Sequence, residues 1–573
     1  MKVSRKTTYM LMAFLALLNI AFRYPTTSHK VGVDSFVIYG LANSISTNGY
    51  AKWIIHPLSI FGLYPHSYPG AVPYLISSMS QSMGLSMEIT IFLFAIVIGL
   101  FGMLATYLMA KEIRNDTLFI FLVVFAFSTA PAFLSCTRWT ATSRGLFLAF
   151  LPLFIWTLLR SRREKKYLLL TIVTLIALAT THRMVLLVIP IFLAYFTATM
   201  IQRITEKIML PKEILLPIFG ILLIGVLTLC AVLLTNSLIP LIFLIFISYF
   251  FSIILGKLDK TLRKPIIMSF ILALLFIYAF LIQLSNIKFY YDIWHEYESN
   301  HLFPISELNI LAYYTGMGGI LLIFAVVGML IVLLKSKKDF REWFLLFTIL
   351  FLTPLSAFGV YTAIFLLPFF SIFSAIGIIE IVKTKRIRKY ALPIVIMCLL
   401  VSLSFSGFMI NYWDTKGYQH GDPWDTIVMR DETYSTSIFL KEYSHGTFIS
   451  NTERDGYRIA VFSDTYFFPG RSAWPLAYGF IEDVEIIGLA DFKLGMDYLF
   501  VANNTVQNEY HMLLTLDCDN TTAKEILSKY KIYYYIENNH VQSQDMFFRS
   551  VHEKKYKIYD NGVESIWYLG RSY

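Results

Sequence analysis

The chain has 573 residues, of which 57% are hydrophobic and 15% are charged, and its mean hydropathy is +0.61. One soluble core of this length could not bury so much apolar surface, so the composition excludes an ordinary soluble protein and predicts lipid as the solvent for most of the chain. The net charge of +10 is explained by the Lys and Arg that membrane proteins carry on cytoplasmic loops, so we predict no nucleic-acid partner. The four cysteines are widely spaced, which argues against a disulfide framework.

Apolar runs of about the 17–25 residues that cross a bilayer recur along the first 411 residues. We predict thirteen transmembrane helices from them. The first is predicted to be retained, because no small-residue cleavage site follows its basic and apolar segments. The predicted spans are 8–23, 89–110, 117–134, 145–159, 167–182, 184–202, 214–233, 237–256, 265–285, 317–334, 343–358, 361–382 and 391–411.

The distribution of Lys and Arg predicts how these spans are oriented. With the N-terminus inside, the cytoplasmic segments hold 26 of these residues, the opposite short loops hold 7 and the C-terminal tail holds 15. Because positive charge collects on the cytoplasmic side, we predict a cytoplasmic N-terminus and an extracytoplasmic C-terminus. An odd number of spans gives the same orientation.

Three segments are predicted to lie on the outer side. They are a first outer segment at 24–88, a second at 286–316 and a tail at 412–573 that holds 15 basic and 23 acidic residues. The sequence therefore predicts a transmembrane domain at 1–411 and an extracytoplasmic domain at 412–573.

The tail alternates short β-rich runs with amphipathic stretches, which predicts a small α/β domain. Asn561-Gly562 between two β-rich runs predicts a hairpin. The predicted helices are 432–443 and 522–530, and the predicted strands are 447–450, 458–463, 497–502, 531–536, 556–560 and 563–569.

The first outer segment contains a carboxylate close to the membrane surface. Val37, Ile38, Leu41 and Ile45 recur at helical spacing after Asp34, which predicts that Asp34 lies at a helix N-terminus. A helix cap alone would explain an Asp at this position. The run that follows is rich in proline and aromatic residues and is typical of a structured loop at the membrane interface.

These features together resemble the GT-C superfamily of glycosyltransferases that use lipid-linked sugars. The segments DSFVIYGLAN and AKWIIHPLSIFGLYPHSYP look most like archaeal members, and the closing KIYDNG hairpin is loosely similar. The number of spans, the outer tail and the long second outer segment are similar to the catalytic subunits of oligosaccharyltransferases. The resemblance implies a polytopic α-helical GT-C-like domain of about 13 spans with a C-terminal extracytoplasmic α/β domain, and a role such as protein glycosylation in an archaeal plasma membrane.

This sequence departs from the GT-C pattern at two motifs, and both departures limit the function that the resemblance implies. Asp34 is a lone acid where many relatives carry a D-x-D-like pair, so a divalent cation is possible but is not supported by an intact motif. The WWDYG motif of oligosaccharyltransferases has no match in the tail. Transfer from a polyprenyl (dolichyl) phosphate-linked sugar to a glycan, lipid or protein acceptor other than a sequon fits the sequence better.

An inverting transfer needs a base for the acceptor hydroxyl and positive charge for the departing phosphate. Asp34 is the candidate base. Basic residues on the outer side are the candidates for phosphate binding, although a basic residue at a helix end also extends to lipid head groups for solvation alone. These candidates are Lys30, His56, Arg138, Arg144, His182 and Arg183.

The second outer segment mixes acids with aromatic residues, a composition suited to stacking on sugar rings. Asp292, His295 and Glu296 are its candidate contacts, and they could also ligate a cation. The same composition is found in solvated interfacial loops.

Two other functions remain open at this point. A transporter or flippase of lipid-linked glycans would place polar residues at the middle of its spans, and the spans between Leu146 and Cys398 are almost free of them. A non-catalytic membrane scaffold would not need Asp34. The first prediction is a membrane glycosyltransferase.

Overall fold

The structure is a computed structural model that describes a large part of the chain. The predicted spans at 214–233, 237–256 and 265–285 and the second outer segment at 286–316 lie outside the described residues. The described residues are 5–205, 318–335, 338–356, 364–383, 388–416, 428–469, 473–482, 484–489, 500–503, 505–541 and 543–570.

The first 416 residues contain only helices and loops in the part that is described. Short 3₁₀ turns occur at Pro57–Ser59, Arg183–Leu187 and Arg388–Tyr390. The α-helices are α1 (Arg5–Arg23), α2 (Val33–Asn48), α3 (Ala71–Met83), α4 (Met87–Ile113), α5 (Thr117–Ser128), α6 (Pro131–Ser135), α7 (Ser143–Ser161), α8 (Lys166–Thr181), α9 (Val188–Thr205), α10 (Leu322–Leu334), α11 (Phe340–Ser356), α12 (Leu367–Lys383) and α13 (Ala391–Lys416).

Three of these helices are long and apolar enough to cross a membrane, namely α4, α7 and the Ala391–Asn411 part of α13. Shorter apolar helices are α5, α8, α10 and Val188–Gln202 of α9. The helical membrane architecture is therefore present, whereas the predicted number of thirteen spans is not established by the described residues.

One predicted span is broken in the structure. The sequence predicted a single helix over 117–134, but α5 ends at Ser128 and the short α6 starts at Pro131. Proline has no N–H to donate and its ring disfavours a helical conformation in the preceding residue, so a helix ends just before it. The break leads the chain into the loop at 136–142.

The described part of the tail forms the predicted α/β domain. A five-stranded sheet has the order β2-β1-β5-β7-β6, with β1 parallel to β2 and β5, and β7 antiparallel to β5 and β6; β3 and β4 form a separate antiparallel pair. The strands are β1 (Thr447–Ser450), β2 (Tyr466–Phe467), β3 (Glu485–Leu489), β4 (Phe500–Asn503), β5 (Ile532–Asn538), β6 (Tyr556–Asp560) and β7 (Glu564–Tyr568). The helices are α14 (Asp431–Tyr443), α15 (Glu453–Ser463), α16 (Trp474–Ala477), α17 (Thr505–Thr515), α18 (Thr521–Lys529) and α19 (Met546–Lys554).

One strand prediction was wrong. Residues 458–463 belong to α15, which begins after Thr452 and ends at Asp464 in a left-handed conformation. The Thr452 hydroxyl donates to the Asp455 carboxylate in the first helical turn. The helix thus forms despite the β propensity of Ile459 and Val461. The predicted hairpin at Asn561-Gly562 is present between β6 and β7.

The C-terminal domain packs on the first outer segment. Trp474 is fully buried, and its indole N–H donates to the Val37 carbonyl at 3.2 Å. The Ser44 hydroxyl donates to the Ala477 carbonyl at 2.8 Å. The helix α2, which carries Asp34, is therefore held between the membrane helices and the C-terminal domain.

Candidate active site

The candidate site is built where the α1–α2 loop meets the α6–α7 loop. The Val31 N–H donates to the Trp139 carbonyl at 3.2 Å, and the Ala141 N–H donates to the Ser35 hydroxyl oxygen at 3.0 Å. Between these bonds, Gly32 has φ +89°, and a Cβ there would lie 2.9 Å from the Thr140 hydroxyl oxygen. Only glycine adopts this conformation without strain and lets the two loops approach so closely.

Asp34 lies in the first turn of α2, as predicted. The position before the helix is Gly32, so Asp34 is not the cap residue. Its carboxylate instead forms an ion pair with Arg144 in the first turn of α7. The Asp34 side chain is 41% exposed and that of Arg144 is 21% exposed, so the pair is open to a ligand.

His182 and Arg183 lie close to this pair. His182 follows the last residue of α8 and packs against the rings of Phe147 and Phe365, with ring centroids at 6.0 and 5.7 Å. Arg144 and Arg183 are both near enough to interact electrostatically with His182. The structure thus brings Asp34, Arg144, His182 and Arg183 to one end of the helices.

Arg138 is buried in the same loop, beside Trp139, whose indole N–H donates to the Glu88 carbonyl at 3.3 Å. Sequence reasoning missed Arg23, the last residue of α1, which is fully buried. Its guanidinium donates to the Thr137 hydroxyl at 2.7 Å and to the Asn19 side-chain oxygen at 2.9 Å. An Arg at the C-terminal end of a largely apolar helix was the available signal.

Lys30 points away from Asp34. Its ammonium nitrogen lies 3.6, 4.1 and 4.8 Å from the ring centroids of Phe36, Tyr39 and Phe462. Because the side chain is fully buried, desolvation lowers the pKa of Lys30 well below its ordinary value. Glu88 partly offsets this effect, and its carboxylate accepts the Lys30 backbone N–H at 3.1 Å.

His56 is also placed elsewhere. Its ring nitrogen accepts the Leu58 N–H at 3.2 Å, which caps the 3₁₀ turn, and its ring stacks on Tyr64 at 4.9 Å. Asp292, His295 and Glu296 lie outside the described residues.

The described residues offer Asp34 no set of three neighbouring cation ligands. In the described part of the site, Asp34 supplies one carboxylate, and this carboxylate is paired with Arg144. The one cluster of potential ligands that the described residues contain is Asp517, Cys518 and Asp519. Its carboxylates are already bound by Lys554 at 2.6 Å and Lys555 at 3.0 Å.

Solved membrane glycosyltransferases share this architecture. The oligosaccharyltransferase of Archaeoglobus fulgidus in the apo form has a TM-score of 0.55 and 13% identity, over 93% of this chain and 70% of that chain. The same enzyme in complex with an inhibitory peptide and a dolichol-phosphate has a TM-score of 0.55 and 12% identity, over 93% and 69%. A further structure of that enzyme contains Zn and sulfate.

ArnT from Cupriavidus metallidurans, bound to undecaprenyl phosphate, has a TM-score of 0.53 and 9% identity, over 99% of each chain. No protein-family model matches this chain, and no curated protein sequence matches it. The predicted resemblance is confirmed, and the chain has the fold of the GT-C membrane glycosyltransferases.

Proposed function

We propose that this chain transfers a sugar from a polyprenyl-phosphate-linked donor to an acceptor hydroxyl at the outer face of the membrane. Asp34 is the general base, and Arg144 and Arg183 hold the phosphate. The observation that carries the proposal is the ion pair of Asp34 and Arg144 at the meeting point of two loops. The polyprenyl phosphates bound to the Archaeoglobus and Cupriavidus structures support the class of donor.

The Asp34–Arg144 pair suits the two requirements of the reaction, which are binding of the donor phosphate and removal of the proton from the acceptor hydroxyl. When the donor binds, Arg144 exchanges the Asp34 carboxylate for a phosphate oxygen, because a guanidinium binds either anion through the same planar fork. The released carboxylate then takes the proton of the acceptor hydroxyl. The new bond forms between the acceptor oxygen and the anomeric carbon as the bond from that carbon to the phosphate oxygen breaks, and the leaving phosphate keeps the electron pair.

The arrangement of the chain in the membrane belongs to this proposal. The N-terminus is cytoplasmic, residues 1–411 form the membrane domain and residues 412–573 lie outside the cytoplasm. In support, the cytoplasmic segments of this arrangement hold 26 Lys and Arg and the opposite short loops hold 7, and the end of α7 away from Arg144 is followed by Arg162 and Arg163.

The substitution Asp34→Asn tests the base. It keeps the size of the side chain and removes the proton acceptor, so sugar transfer from a dolichyl-phosphate-linked donor in membranes should fall by about 10²–10⁴-fold. Arg144→Gln should also reduce transfer strongly, since it removes charge beside the leaving phosphate.

Asp116→Asn is the matched control. The Asp116 carboxylate caps α5 by accepting the Phe119 N–H at 2.9 Å, and asparagine caps a helix equally well, so transfer should stay close to wild type. Wild-type transfer by the Asp34→Asn protein would remove Asp34 as the base. Absence of sugar transfer by the wild-type protein itself would favour a transporter or flippase of lipid-linked glycans.

A further inference from the structure

A second basic site lies at the far end of the same helices. A cavity of about 340 Å³ opens between the C-terminal ends of α4, α7 and α9 and the start of α11. Arg162 directly follows α7, 18 residues after Arg144. At 1.5 Å per residue these arginines are roughly 27 Å apart, about the thickness of the hydrocarbon core. The cavity thus belongs to the opposite membrane face from Asp34.

Glu112 forms the floor of this cavity and is only 7% exposed. Three arginines surround its carboxylate: Arg160 and Arg163 at 3.3 Å and Arg341 at 3.4 Å. One carboxylate neutralises one of them, and Glu164 pairs with Arg160. Asp339 also lines the cavity, so four arginines (Arg160, Arg162, Arg163 and Arg341) face three carboxylates (Glu112, Glu164 and Asp339), which leaves an excess of positive charge.

Arg162 adds a further guanidinium and has no carboxylate partner among the described residues. It donates to the Gln202 side-chain oxygen at 2.7 Å and lies 4.1 Å above the Phe340 ring. The amide and the ring orient the guanidinium without neutralising it. The Nε of Arg160 is buried and finds no acceptor among the described residues. The Arg162 guanidinium, which lines the cavity, can therefore donate hydrogen bonds to an added anion.

We propose that this cavity binds the phosphate group of an anionic membrane lipid. Arginine is suited to phosphate because its planar fork donates two parallel hydrogen bonds. Basic pockets between the ends of transmembrane helices bind anionic head groups on the cytoplasmic side. The site is separate from the proposed sugar transfer and does not depend on it. Soluble phosphate has the same chemistry, so the test distinguishes the two sources.

The test measures thermal unfolding of the full-length protein in detergent micelles with added phosphatidylglycerol, phosphatidylcholine or inorganic phosphate. Phosphatidylglycerol should stabilise the wild type in a concentration-dependent manner, and phosphatidylcholine should not. Substitution of Arg162 and Arg163 by Gln should weaken the apparent affinity for phosphatidylglycerol by about fivefold per arginine.

Lys166→Gln is the matched control, because Lys166 is 74% exposed and pairs only with Glu164 on the surface. Its response to phosphatidylglycerol should match that of the wild type. An equal response of the wild type and the double variant, or no response to any phosphate, would overturn the proposal. A response to inorganic phosphate that equals the response to phosphatidylglycerol would support the site with a soluble ligand.

Glu112→Gln provides a second test if the arginine variants fold poorly. Removing the buried carboxylate frees three guanidinium groups for the ligand, so the apparent affinity for phosphatidylglycerol should rise. If the arginines only hold the helices together, Glu112→Gln should destabilise the protein without any gain in affinity for the lipid, and the proposal fails.

Discussion

Glu564 lies on β7 with its carboxyl group fully buried. One oxygen accepts the Thr433 hydroxyl at 2.6 Å, and the other has no hydrogen-bond partner among the described residues. Burial and, to a smaller extent, the nearby Asp455 carboxylate raise the pKa of Glu564 to about 7. Arg458 and Asn538 donate hydrogen bonds to the Asp455 carboxylate at 2.8 Å and 2.9 Å.

This carboxyl group makes stability depend on pH. The folded protein keeps the proton up to about pH 7, whereas the unfolded chain loses it near the ordinary value of 4.5, so stability should fall as pH rises between these values. The full effect is on the order of 3 kcal/mol. Thermal unfolding between about pH 5 and pH 8 should show that Glu564→Gln removes this loss. The exposed Glu553→Gln serves as control, and an unchanged pH profile in Glu564→Gln would refute the assignment.

At the scale of helices, α10 and α12 pack with their backbones almost in contact. A Cβ on Gly328 would lie 1.9 Å from the Phe373 carbonyl oxygen, and one on Gly377 would lie 2.2 Å from the Phe324 carbonyl oxygen. Small residues let membrane helices approach closely, where van der Waals contacts and weak hydrogen bonds replace the hydrophobic effect.

Gly328→Ala should therefore separate these helices. Because the obstructing atoms belong to the backbone, the methyl group cannot be accommodated by a side-chain rotation, and stability should fall by about 1–3 kcal/mol. Thermal unfolding in detergent measures the loss. Gly407→Ala in α13 is the control, since its Cβ would meet nothing within 4 Å. Equal unfolding temperatures for the two variants would show that the glycine contact is unimportant.

Long apolar membrane helices were easier to predict from the sequence than the ends of helices or the short strands. Long apolar runs such as 89–110 predict α4 because length and composition both favour a membrane helix. The stretch at 458–463 was assigned to a strand because six residues carry too little periodicity, and these residues are the second half of the longer helix α15 (Glu453–Ser463).

At the scale of the whole molecule, the local sequence pattern predicted that Asp34 lies at a helix start. It could not identify the residues that contact Asp34. Arg144 is 110 residues away in the chain, and its pairing with Asp34 depends on the break at Pro131 and the loop contacts that follow. Lys30 resembled a phosphate ligand because it lies on the same outer loop. Its burial among three aromatic rings, one of them from the C-terminal domain, follows only from the tertiary fold.

The contact between α2 and the C-terminal domain should control how firmly Asp34 is held. A Cβ on Gly40 would lie 2.2 Å from the indole of Trp474, so Gly40→Ala should displace that side chain and weaken the docking by about 1–3 kcal/mol. Hydrogen–deuterium exchange should then speed up in both α2 and α16, because the Val37–Trp474 and Ser44–Ala477 hydrogen bonds connect them.

Gly488→Ala in β3, where a Cβ would meet nothing within 4 Å, should leave this exchange unchanged. If Gly40→Ala slows sugar transfer along with faster exchange, the C-terminal domain positions the base. Faster exchange with wild-type transfer would show that the docking stabilises α2 without positioning Asp34.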